Sequence, residues 1–86
     1  MSNEIPSFTF IPTYYRGRKG YRPAVRVMRA NKMVGSKAAP FLFDSAELAL
    51  AHAKTAAAFV CAGERNVWSA RVADVAKKLE LIPLSA

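Results

Sequence analysis

One cysteine, one histidine and no carboxylate between Glu4 and Asp44 are the shortages of this 86-residue chain. Cys61 alone can close no internal disulfide and belongs to no metal-ligand spacing. Its place near the end of a helix disfavours a thiolate, so it reads as a small core residue. His52 falls on the flank of the same helix and reads as a packing or surface residue, not a catalyst. The scattered carboxylates each find a local use as a cap or an i,i+4 partner. An enzyme, a metal site and a cofactor are therefore not expected. Long apolar runs are missing too. The stretch Ala46 to Ala62 is mostly alanine, carries Glu47, His52 and Lys54, and is too short and polar to span a bilayer. The opening Met-Ser-Asn-Glu-Ile-Pro lacks the basic-then-apolar pattern of a secretory signal. A soluble cytoplasmic protein is expected, with no membrane partner.

What is present is globular: about half the residues are hydrophobic and 22% are charged. Without internal repeats or a low-complexity linker, the chain reads as one domain over residues 1–86, with a single modest core. The charge is unevenly placed. Up to Phe43 there are eight basic residues against Glu4 alone; from Asp44 onward five basic residues balance five acids. The whole net charge of +7 thus sits in the first half. The stretch "YYRGRKGYRPAVRVMR", Tyr14 to Arg29, holds all three tyrosines, six basic residues and no acid. Such segregation marks a surface that faces a polyanion, the plainer alternative being a solvated basic face.

The first half is rich in aromatic and β-branched residues and the second in Ala, Leu and Lys. This predicts an α+β domain: a three-stranded antiparallel sheet over about residues 7–43, then helices over about 45–61 and 67–81. Alternation from Ser7 to Tyr15 puts Phe8, Phe10 and Tyr14 on one face and Thr9, Ile11, Thr13 and Tyr15 on the other. Pro12 marks an edge strand. The connection Arg16 to Gly20 leads into a second strand, Tyr21 to Arg29. There Tyr21, Val25 and Val27 share one face, and Arg22, Ala24, Arg26 and Met28 the other. A turn at Ala30-Asn31-Lys32, with Asn31 suited to the left-handed region, opens an irregular third strand from Met33 to Phe43. Gly35 predicts a bulge and Pro40 a break, so only Phe41 to Phe43 are expected to pair.

Asp44 is the predicted N-cap of a helix with Glu47 in its first turn, running to Cys61 and stopping at Gly63. Ala46, Ala49, Leu50, Ala53, Ala56, Ala57 and Val60 form a wide apolar face, small enough to lie close on the bulky sheet. The second helix, Val67 to Leu81, carries Trp68, Val72, Val75, Ala76, Leu79 and Ile82, with Leu48 and Phe59 as its seat. Phe10, Val27, Phe41, Leu50 and Trp68 are expected to be largely buried. Thr9, Thr13, Tyr15, Arg22 and Arg26 then remain on an open face.

Nucleic acid requires cations for phosphates, hydroxyls for positioning and aromatic rings to stack. Tyr15, Arg16, Arg18, Lys19, Arg22, Arg26, Thr9 and Thr13 supply that mixture on one side of a twisted ribbon, with Arg29 and Lys32 extending the basic set. Arg outnumbers Lys, which suits bidentate contacts with guanine. The glycines of "RGRKG" lack the pattern and context of a phosphate-binding P-loop. Nucleic acid is the expected partner, and an acidic protein surface the next. Ile11 and Met28 on the open face are compatible with a homodimer.

The segment from Tyr21 to Phe59 resembles the sheet-plus-helix DNA-binding domains of phage integrase arm-binding modules and plant ethylene-response factors. Arg22, Arg26 and Val27 match their strand, and Phe43, Asp44, Ser45, Glu47 and Ala49 their strand-to-helix junction. The resemblance implies a sheet docked in the major groove, DNA favoured over RNA, and base or phosphate contacts from Arg22 and Arg26. It covers under half the chain; Asn31-Lys32 replaces the family's glycine turn, and the second helix is additional. The same pattern is similar to small phage- or plasmid-encoded inhibitors, some anti-CRISPR proteins among them. That likeness implies a non-enzymatic grip on a bacterial nucleic-acid-handling complex.

Overall fold

The computed structural model describes residues 8–84. Strands β1 (Phe8–Arg16), β2 (Tyr21–Arg29) and β3 (Lys32–Ala38) precede helices α1 (Ala46–Cys61) and α2 (Ala70–Lys78). The strands form an antiparallel sheet in the order β1-β2-β3, and α1 lies across β1 and β2. The fold is α+β with the predicted βββαα order. Ser7, expected to open the first strand, lies outside the described residues.

The strand alternation holds. Phe10 pairs with Val27 and Pro12 with Val25 under α1, and Ile11 pairs with Arg26 on the other side. Between β2 and β3, Ala30 and Asn31 both take positive φ, 51° and 65°. This is the two-residue hairpin turn whose twist matches its strands; Asn31 was expected to turn this way, Ala30 was not. The third strand departs from expectation. Its ladder is Lys32–Ala38, and of Phe41 to Phe43 only Phe43 pairs, as a single bridge to Tyr21. Pro40 has no N–H to donate, so the chain leaves the ladder at Ala39 and rejoins at Phe43. The bulge falls beside Gly35: Val27 faces Gly35 while Met28 faces Met33, which leaves Val34 as the extra residue.

Helix α1 starts one residue later than predicted. Ser45, not Asp44, is the cap, its hydroxyl accepting from the Leu48 N–H at 3.2 Å. At the other end Gly63 takes φ 107°, with Gly63 N–H donating to Val60 O and Glu64 N–H to Phe59 O. These two bonds make a Schellman ending. Helix α2 is shorter than its apolar stripe. Asn66 Oδ1 accepts from the Trp68 N–H, and Ser69 caps the helix through the Val72 N–H, so Val67 and Trp68 stay in a turn. Glu80 at φ 62° then ends it by a second Schellman pair, Leu81 N–H to Ala76 O and Glu80 N–H to Lys77 O. Leu79 and Ile82 consequently leave the stripe and are exposed.

Two packed clusters form the core. Val25, Ala56, Ala57, Val67 and Val72 make one, with Phe10, Phe59, Val60 and Trp68 against it. Phe43, Ala49, Ala76 and Leu81 make the other, beside Tyr21, Phe41, Leu48 and Ala51. The alanines of α1 meet bulky sheet residues as predicted. Phe10, Val27, Phe41, Leu50 and Trp68, expected to be largely buried, are only half-buried. A single helical layer on a small sheet cannot cover every large side chain. Phe8 and Tyr14 sit on the predicted face yet remain exposed, Phe8 at 52%. Cys61, expected in the core, is exposed, because it lies around α1 beyond the buried arc of Ala49, Ala53, Ala56 and Ala57.

Candidate nucleic-acid interface

On the face away from α1, β1 contributes Thr9, Ile11, Thr13 and Tyr15, and β2 contributes Met28, Arg26, Ala24 and Arg22 opposite them. The bulge adds Ser36 from β3 opposite Arg26, and Met33 opposite Met28. Met28 and Met33 lie towards the second turn and Tyr15 and Arg22 towards the basic loop, with Ile11, Arg26 and Ser36 side by side between them.

Tyr15 organises the end towards the basic loop. It stands opposite Arg22, yet its phenol shares a 3.0 Å hydrogen bond with Ser36 Oγ, opposite Arg26. The ring therefore crosses β2 above Ala24, which is fully buried. A small residue at position 24 makes room for the tyrosine. The Ser36 hydroxyl and the Arg26 guanidinium beside it hold the phenol below the usual tyrosine range, outweighing the opposing effect of burial. Arg26 is exposed. Arg22 is half-buried, and its Nη1 donates to Ala39 O at 2.6 Å. Expected as a free contact, Arg22 instead ties the segment after β3 to the sheet and keeps only part of its guanidinium for a ligand.

The loop between β1 and β2 is fixed at both ends. The Gly17 N–H donates to Gly20 O at 2.8 Å, and Tyr21 and Phe43 exchange two backbone bonds of 2.8 Å. At Gly20, φ is 151° and a Cβ would lie 2.6 Å from Phe43 O, so only glycine fits. Arg16 at the end of β1 and Arg18 and Lys19 in this loop are exposed. Together with Tyr15, Gly17, Arg22 and Leu42 they line a cleft of ≈ 410 Å³.

Six of the eight predicted site residues are thus gathered: Tyr15, Arg16, Arg18, Lys19, Arg22 and Arg26. Arg29 and Lys32 are not among them. They face each other across the second turn, on the α1 side and at the opposite end of the sheet, where the Arg29 guanidinium lies 5.7 Å from the centre of the Phe8 ring. Ser36 and Leu42 belong to the site and carried no signal in the sequence.

His52 has no part in this surface. It is buried at 3% exposure against Phe41, Phe43 and Trp68, and burial pushes its imidazole below the usual histidine range. Among the described residues no three of His, Cys, Asp and Glu gather as metal ligands would, and no helix is long and apolar enough to cross a membrane.

Comparison with known proteins finds no matching family model, curated protein or solved structure.

Proposed function

We propose that this chain is a non-enzymatic nucleic-acid-binding domain that works through the β1–β2 loop and the adjoining open face, with DNA favoured over RNA. One observation carries the reading. Arg16, Arg18, Lys19, Arg22 and Arg26 surround a pinned tyrosine at one end of the sheet, and the described acids all come from Asp44 onward. Loop cations attract phosphates; Arg26, on a strand with an exposed guanidinium, is placed to read a base edge. The preference for DNA follows the likeness to sheet-docking DNA-binding domains.

Salt tests the reading. Neutralising about five phosphates gives log K against log salt a slope of roughly −4 to −5 on duplex DNA. An anisotropy titration at several salt concentrations measures it. Failure to bind any nucleic acid at low salt removes the proposal. It would favour the second reading, an inhibitor that grips an acidic surface of a nucleic-acid-handling complex. The apolar side chains of the same face, Ile11 at 41% exposure together with Met28 and Met33, are what support a protein partner there.

A further inference from the structure

The cleft under the basic loop has a composition that phosphate attraction alone does not require. Of its lining, Tyr15 and Leu42 offer an aromatic and an aliphatic surface, Gly17 offers bare backbone, and the rim is entirely cationic: Arg16, Arg18, Lys19 and Arg22. Its ≈ 410 Å³ lies within the range of sites that hold small molecules. The walls are built before any ligand arrives. Tyr15 is pinned through Ser36, Arg22 through Ala39 O, and the Leu42 carbonyl accepts from the Leu84 N–H at 2.7 Å.

A ligand that matches has a flat apolar body with an anionic group at its edge. We propose that the cleft takes one unpaired nucleotide, its base against Tyr15 and Leu42 and its phosphate on the Arg16, Arg18, Lys19 and Arg22 rim. This rests on the nucleic-acid reading above and narrows it. A base stacked and paired inside a duplex cannot enter without being unstacked, whereas a single strand presents bases already free. The domain then prefers a single strand to an uninterrupted duplex, and the open face takes the flanking nucleotides, bases and backbone both.

The test compares a short oligothymidylate with its blunt-ended duplex at one salt concentration, by anisotropy, and follows thymidine 5′-monophosphate and inorganic phosphate by NMR. The single strand is expected to bind roughly ten-fold more tightly or better. Thymidine monophosphate should shift Tyr15 and Leu42 resonances together with the loop, and inorganic phosphate the loop alone. Tyr15→Ala should remove most of the preference and Tyr15→Phe, which keeps the ring, should retain it. Equal affinity for the two forms, or tighter duplex binding, overturns the cleft and leaves the nucleic-acid reading standing. Binding to neither overturns both. Should Tyr15→Ala fail to fold, the Leu42 shift in the native chain decides: no movement at saturating monophosphate overturns the proposal.

Discussion

Arg22 and Arg26 look alike in the sequence, two arginines on one face either side of a small residue, and the structure gives them different work. Arg26 is exposed beside Tyr15; Arg22 spends a donor on Ala39 O. Arg26→Ala should therefore leave the melting temperature almost unchanged while costing ~1–3 kcal/mol of binding and some discrimination between sequences. Arg22→Ala should weaken binding and also lower stability by about 1–2 kcal/mol, since a half-buried carbonyl loses a charged donor. Lys19→Ala, out on the loop, should weaken all sequences alike and flatten the salt slope by about one unit. Thermal melts and anisotropy on the three variants separate these outcomes; a sharp fall in melting temperature for Arg26→Ala would move the functional face elsewhere. The alternation made both arginines legible. The Arg22 tether was not, because its acceptor lies where Pro40 turns the chain away from the ladder, a path that strand periodicity does not encode.

Elements were legible where a local signal set them and obscure where a neighbour did. Strand β2 falls on its predicted residues, and Gly63 ends α1 as a glycine should. Ser36 shows the limit. Continuing the pairing of Arg29 with Lys32 by simple alternation would put Ser36 opposite Val25, under α1. The extra residue at Val34 shifts the register by one, and Ser36 reaches the open face, where it pins Tyr15. Three backbone positions make a stability prediction at this scale. Ala30 at φ 51° and Glu80 at φ 62° hold left-handed conformations without the residue types that favour them. Ala30→Asn and Glu80→Gly should each raise stability by ~0.5–1 kcal/mol, read from denaturant midpoints, with nucleic-acid affinity unchanged. Gly20→Ala should do the opposite, losing on the order of 1–3 kcal/mol, because its Cβ would meet the Phe43 carbonyl. A neutral Gly20→Ala would mean that the loop is not held as described.

At the scale of the whole molecule, the sequence showed that charge is segregated and the structure shows how: five of the eight first-half cations gather around one sheet end, while the balanced second half supplies the layer behind it. The sequence could not show what joins the two core clusters. Trp68 packs on one, Phe41 and Phe43 belong with the other, and His52 lies among all three, with ring centroids 4.9 Å from Phe41, 5.4 Å from Phe43 and 5.8 Å from Trp68. Its Nδ1 is buried without a hydrogen-bond partner. Charging this ring therefore works against the fold as a whole. The sign follows from linkage: burial sets the folded pKa below the unfolded value of about 6.5, so the unfolded chain takes up the proton first. Stability is complete above pH 6.5 and declines as pH falls from there towards the folded value, by up to ~1.4 kcal/mol per pH unit. Between pH 7.5 and 5.5, above the range where the carboxylates titrate, the wild-type melting temperature should drop. His52→Phe keeps an aromatic ring at the junction and removes the titration, so its melting temperature should stay level over the same interval. A level wild-type profile would show that the junction accepts the charged ring, and that His52 does not hold the two clusters together in the way its burial implies.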